Sequence, residues 1–279
     1  MVSCDSGNIQ AKVLFLAVLD HKLRIDRHRV KLDRFFGYKA IGIGFYDDLP
    51  CGGGAGGEGV PMKDSGIAWL GEVPAHWEIV AIKRMTLVIT DGAHISPETE
   101  GGVYDFVSTK DISDSGIDFE GCLKTSPASY EYLVRTGCQP ICGDILFSKD
   151  GTIGRTVVIS EHHDFVVASS LIIIRPDRKI LDSSFLSYLS QSFVVISQVE
   201  GFVKGAGLPR LSIQNLLKVI GVFPPIEEQK NIVTFLDSET TKLDALTTEA
   251  QRAINLLKER RSALISAAVT GKIDVRSFS

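Results

Sequence analysis

Apolar positions between residues 226 and 270 recur at alternating steps of four and three. Leu236, Glu239, Leu243, Leu246, Ala250, Ala253, Leu257, Arg260, Leu264 and Ala267 form one stripe, broken only by Glu239 and Arg260. That spacing predicts a long helix with a coiled-coil-like seam. Pro224-Pro225 stands where a helix can begin but not continue backward. Glu227 and Glu228 fall at the positive end of its dipole, and no Pro or Gly follows until Gly271, a natural C-terminal stop. Such a helix would be roughly 65 Å long, too long to bury its stripe on one small domain. It therefore needs a second helix, from a twin chain or a partner.

Residues 62–225 alternate shorter signals and predict a mixed α/β domain. Phe106-Val-Ser-Thr reads as a strand. Asp144-Ile-Leu-Phe-Ser-Lys, Asp150-Gly151 and Thr152-Ile-Gly-Arg-Thr-Val-Val-Ile read as strand, two-residue turn and strand, because Asp-Gly accepts positive φ. Residues 166–174 read as one buried strand stopped by Arg175-Pro176. Residues 183–199 carry Phe185, Leu186, Leu189, Phe193 and Ile196 at helical spacing, with Asp182 or Ser183 as N-cap. Ser212 can cap a short helix running to Leu217. The whole is an α+β chain, a mixed α/β domain at 62–225 followed by the helix at 226–279.

Residues 1–61 differ from the rest. Leu14, Leu16, Val18, Leu23, Ile25, Val30 and Leu32 give broken periodicity, and the segment ends in a glycine run around Gly52–Gly59. Either this is a small extra domain on a flexible linker, or it is translated upstream sequence with the true start at Met62. The run lacks the G-x-x-x-x-G-K-[ST] pattern that would cradle phosphates.

The formal net charge is −4, and residues 63–225 hold 14 basic against 19 acidic side chains. A nucleic-acid binder of this balance must use a local basic patch, or a partner that supplies most phosphate contacts. Five scattered cysteines, with Cys138 and Cys142 lacking a second pair or a nearby His, predict free thiols in a reducing cytoplasm rather than a zinc site. The apolar run Val13 to Leu19 is too short to span a membrane and has no signal-cleavage site.

Four motifs carry a resemblance. The stretch from Lys63 through Trp69-Leu-Gly-Glu-Val-Pro-Ala-His-Trp77 to Glu78 resembles the opening of type I restriction–modification specificity subunits. In that family the opening commonly lies near the start methionine, which favours Met62 as the start. Physically, Trp69, Leu70 and Trp77 are anchors that pack the chain end onto the domain. Thr90-Asp-Gly-Ala-His94 resembles the family's Asp-Gly-x-His loop. Gly143-Asp-Ile-Leu-Phe-Ser-Lys-Asp-Gly-Thr-Ile-Gly-Arg155 resembles its Gly-Asp-Ile-Leu hairpin. Gly205 to Gln214 resembles the stretch closing the recognition domain, and Phe223-Pro-Pro-Ile-Glu-Glu-Gln-Lys the start of the spacer helix.

The resemblance implies a non-catalytic subunit that reads one half of a split target in double-stranded DNA. Catalysis would lie in partners: modification subunits using S-adenosylmethionine to methylate adenine, and a motor–nuclease restriction subunit using ATP and Mg2+, with no cofactor or metal in this chain. Candidate DNA contacts are His94, Lys110, Ser148, Lys149, Thr152, Arg155, Lys204 and Arg210, residue types that bond base edges or phosphates from turns. Full subunits of the family resemble two domain-plus-helix copies and this chain has one, so pairing through Leu236, Leu243, Leu246, Ala250, Ala253, Leu257 and Leu264 is expected to give a two-fold dimer reading an interrupted palindrome. Two other readings stay open: a truncated interaction module that no longer reads DNA, or the recognition domain of a fused restriction–modification enzyme. Glu228-Gln-Lys230 matches an E-x-K nuclease fragment but lacks a preceding strand and an upstream Asp. Phe223-Pro-Pro-Ile lacks the amide or carboxylate of an amino-methyltransferase motif.

Overall fold

A computed structural model describes residues 61–67, 70–113, 116–203 and 210–273. The N-terminal segment, Trp69 and Lys204 lie outside the described residues. Two compact units divide the chain, Met1–Val233 and Thr234–Ser279, so the first turns of the long helix belong to the first unit.

The centre of the first unit is a four-stranded antiparallel sheet in the order β10 (Thr156–Val158), β9 (Ile145–Ser148), β12 (Leu171–Pro176), β4 (Thr86–Asp91). Side chains alternate between the two faces of a strand. Leu146, Leu171 and Ile173 enter a core with Val107, Ile112, Ile159, Phe165 and Val167. Their neighbours Ile145, Phe147, Ile172 and Ile174 are equally buried on the opposite face. Burial on both faces explains why β9 and β12 read as unbroken apolar runs. Helix α2 (Ser183–Gln191) is tied to β10 by Thr156 Oγ1 and Ser187 Oγ, 2.8 Å apart.

A second sheet, β11 (Phe165–Val167), β5 (Tyr104–Val107), β8 (Leu123–Thr125), has β11 parallel to β5. Helix α1 (Pro127–Arg135) covers it through Leu133, buried with Phe106, Cys138 and Val166. Its N-cap is Ser126, whose Oγ accepts from Ser129 N–H at 3.3 Å, with Pro127 at the first helical position. At the start and end of the unit, β3 (Glu78–Ala81) pairs antiparallel with β13 (Ile220–Phe223). Short strands β1 (Met62–Asp64) and β2 (Glu72–Pro74) form a hairpin, and β6 (Ile112–Ser113) pairs with β7 (Gly116–Ile117).

The structure corrects three readings of local structure. The apolar run 166–174 is two strands, not one. Ala168, Ser169 and Ser170 turn the chain, with Leu171 N–H donating to Ala168 O at 3.0 Å, so β11 joins one sheet and β12 the other. The helical run 183–199 is two helices, α2 and α3 (Phe193–Phe202), because Ser192 is extended (φ −72°, ψ 157°) and its hydroxyl donates back to Leu189 O at 2.6 Å. Asp182 is the N-cap of α2, accepting from Phe185 N–H at 2.9 Å. The connection between β9 and β10 spans residues 149–155 instead of two residues. The hydroxyl of Ser148 satisfies its inner carbonyls, donating to Thr152 O at 2.7 Å and Asp150 O at 3.2 Å. Helix α4 (Ile213–Leu216) is capped by Ser212 as its sequence implies.

Helix α5 (Ile226–Val269) has 44 residues. Its start is held by Gln229, fully buried: the amide accepts from Asp182 N–H at 2.9 Å and donates to Ile180 O at 2.9 Å and Pro224 O at 2.8 Å. Glu228 accepts from the Trp77 indole at 3.1 Å and meets His76 at 2.8 Å. This use of Glu228 is structural and accounts for the nuclease-like triplet.

Asp105, in β5, is buried. Burial alone would raise its carboxyl, but hydrogen bonds from Lys124, His163 and Cys122 together hold it below the ordinary carboxylate value of 3.8. Burial first, then Asp105 itself, pushes the Cys122 thiol up to about 11, so it remains a thiol. A lowered carboxyl stabilises the fold above the unfolded value and loses that contribution as pH falls through the folded one. The melting temperature of Asp105→Asn should lie below that of the parent near neutral pH, and the gap should close as pH drops below about 4. A gap unchanged between pH 7 and pH 3 would contradict the assigned role.

Candidate nucleic-acid interface

Three chain segments meet at one end of the central sheet. Strand β4 ends at Asp91 and runs into Gly92, Ala93 and His94. Strand β9 runs into Lys149 and Asp150, and the turn 168–170 lies between them. Ala93 bridges Ala168, Gly92 N–H donates to Leu171 O at 3.1 Å, and Lys149 N–H donates to Ser170 O at 3.1 Å. A Cβ on Gly92 would fall 2.3 Å from Ala168 O and 2.4 Å from Val167 O, so only glycine permits this approach. Ser170 also holds the segment after β5: Thr109 N–H donates to Ser170 Oγ, and Thr109 Oγ1 donates to Ser170 O, both at 3.1 Å. Next to Thr109, Lys110 is exposed.

Beneath these turns Lys149 is buried, its side chain 5% exposed, with the ammonium on the Asp91 carboxylate. Ser148 is fully buried. The sequence motif predicts both as DNA contacts. The structure turns them inward, because a lysine and a serine at the end of a doubly buried strand must find partners inside. Arg155, half-buried, donates to Ile112 O at 3.0 Å. Thr152 is exposed. His94 is 66% exposed, its Nε2 3.3 Å from Asp91 Oδ2. Arg210 is 60% exposed, its Nε 3.0 Å from Asp150 Oδ1, and the two residues also pair through their backbones. His94, Lys110, Thr152 and Arg210 thus offer exposed polar groups around one sheet end. An open cavity of about 410 Å³, lined by His94, lies between the loop after β4 and α1.

A family model described as the type I restriction modification DNA specificity domain matches residues 74–256. The chain belongs to this family. Over 215 residues it is 26% identical to a type I restriction enzyme specificity subunit of Methanocaldococcus jannaschii, covering 75% of this chain and 49% of the relative. It is 33% identical over 121 residues to a type I restriction enzyme specificity subunit of Haemophilus influenzae, covering 43% of this chain and 30% of that one. The chain therefore spans about half the length, or less, of these curated relatives. One solved chain, from work on complex assembly and conformational transition of the type I R-M system, has the same fold. Its TM-score is 0.55 at 18% identity, covering 92% of this chain and 53% of that one.

In this specificity domain, the residues that hold the turns at this sheet end are partly ones that the motifs do not single out. Asp91, Asp150, Thr109 and Ser170 hold the turns, and Tyr132 lines the cavity. Asp91 closes β4 and Lys149 directly follows the buried β9, positions where an ionisable group must be compensated. Among the described residues, no group of three or more His, Cys, Asp or Glu is placed to hold a metal ion. No helix among them is long and apolar enough to cross a membrane.

On α5, Leu236 is buried and Leu243 half-buried. Further along the seam, Leu246, Leu257 and Leu264 are 67%, 64% and 51% exposed, and Ala250 and Ala253 are exposed too.

Removing one member of a buried ion pair strands the other, at a cost of about 3 kcal/mol. Lys149→Ala should lower unfolding free energy by about that amount in urea denaturation. Gly92→Ala should cost about 1–3 kcal/mol through the clash with Ala168 O. A Lys149→Ala protein of unchanged stability would show that the pair does not hold the turns.

Proposed function

We propose that this chain reads one half of a split target in double-stranded DNA as the non-catalytic specificity subunit of a type I restriction–modification complex. The observation that carries the reading is the specificity-domain match over 74–256, on a fold whose sheet end gathers His94, Lys110, Thr152 and Arg210. Arginine and lysine there position the phosphate backbone, while histidine and threonine in turns can bond base edges. Its partners are modification subunits, which supply S-adenosylmethionine chemistry and much of the phosphate grip, and a restriction subunit that uses ATP and Mg2+. The setting is the cytoplasm. The exposed leucines of α5 favour pairing of two copies along the seam, giving a two-fold reader of an interrupted palindrome.

Adenine-methylation mapping tests this in a host carrying the gene and its neighbouring modification gene, with and without deletion of residues 62–279. The expected result is a methylated split motif that disappears on deletion. An unchanged methylation pattern, with the protein expressed, overturns the reading. For the purified complex, Arg210→Ala should weaken binding similarly on all sequences and reduce the slope of log affinity against log salt by about 1. Light scattering at tens of micromolar should show a dimer, and Leu246→Glu with Leu257→Glu should leave a monomer.

A further inference from the structure

Beside the sheet end, the walls of the 410 Å³ cavity carry groups other than His94 that the contacts above do not use. One wall is the loop after β4, with Asp91, His94 and Ile95; the other is the outer face of α1, with Tyr132 and Thr136. Leu133 and Cys138, both buried, close its floor. Ile95 is 50% exposed and Tyr132 is 48% exposed, so two large apolar surfaces face an open space. The Tyr132 hydroxyl has no hydrogen-bond partner among the described residues. By contrast, Thr136 Oγ1 is engaged, donating to Leu133 O at 3.0 Å. The Asp91 carboxylate is 21% exposed: Oδ1 is bound by Lys149 and Oδ2 lies beside His94.

These walls are held rigidly. Gly92 and Ala93 are fixed by the backbone contacts to Leu171 and Ala168, and α1 is capped at Ser126 and packed through Leu133. A cleft that combines exposed apolar surface with a fixed carboxylate, an imidazole and a spare phenol suits a planar ligand with a polar edge. Nucleobase edges are of that kind: an exocyclic amine donates to a carboxylate, and a thymine methyl or a ring face packs on apolar side chains. A phosphate is disfavoured, because Asp91 would repel it.

We propose that this cleft is a base-reading subsite and that Tyr132 and Ile95 are specificity-determining residues. The inference rests on the DNA-reading function above and assigns which face of the domain discriminates sequence. His94, exposed on the same wall, meets the duplex; Tyr132 and Ile95 select the base pair that enters. Lys149 acts as a positioning residue, holding the Asp91 carboxylate in place.

The test uses the chain assembled with its modification subunit and a duplex library with randomised target positions, read by methylation. Tyr132→Ala and Ile95→Thr, both at half-exposed positions, should relax or change the preference at one base pair of the motif. Discrimination there should fall at least about tenfold, with the other positions kept. Binding to a scrambled duplex and its salt slope should stay unchanged, and Tyr132→Phe should separate the hydroxyl from the ring. If the parent selects a motif, both variants melt like the parent and both keep every position unchanged, the cleft does not read bases, although the subunit does. If the parent selects no motif at all, the DNA-reading function fails and the subsite fails with it.

Discussion

The first turn of the long helix is the constraint on which the first unit closes. Gln229 has no exposed surface, yet its amide satisfies three backbone groups from the segment before α2 and from the Pro-Pro corner. A buried amide with all of these bonds made is rigid. With one partner removed, it would leave unpaired groups at about 1–3 kcal/mol each. Glu228 adds the Trp77 indole and His76 of the opening motif. The helix therefore starts at one fixed place, because the strand order, the α2 cap and the chain entry all meet there.

A second regularity is that the unit neutralises several of its positive charges internally. Lys149 is bound to Asp91, Lys124 to Asp105, and Arg175 grips Asp144 through two bonds of 2.8 Å. Fields from such paired charges are short-ranged, so the domain presents little net attraction to a distant polyanion. Recognition at this surface then depends on shape and on specific groups more than on long-range steering.

The helix at the end of the chain was legible in its sequence, stop signals included, because periodicity over many turns averages out local exceptions. So were the caps at Asp182 and Ser212, whose chemistry is local. The breaks at Ser192 and at residues 168–170 were not. In both places apolar residues continue on either side: at 192 a serine hydroxyl bonded back to Leu189 O redirects the chain, and at 168–170 a backbone turn closed by Leu171 N–H on Ala168 O does so. Site residues divided in the same way. His94, Lys110, Thr152 and Arg210 lie at turns and are exposed, as polar tips between elements should be. Ser148 is the last residue of the doubly buried β9 and Lys149 the first after it, and that position puts both inside. Sequence shows residue type and spacing, but the strand's last residue is fixed by partners distant in the chain.

The pairing of β3 with β13 joins the beginning of the domain to its end. On the ribosome, Trp77 and strand β3 emerge early but cannot be covered until Phe223 and Glu228 have left the exit tunnel. Loop closure of that span is entropically slow and cannot begin until its far end exists. During that interval the nascent chain carries an exposed aromatic segment and an unpaired strand, the features that invite aggregation. Any chain released before residue 228 would keep them exposed permanently, so incomplete products of this gene are natural substrates for chaperones and proteases.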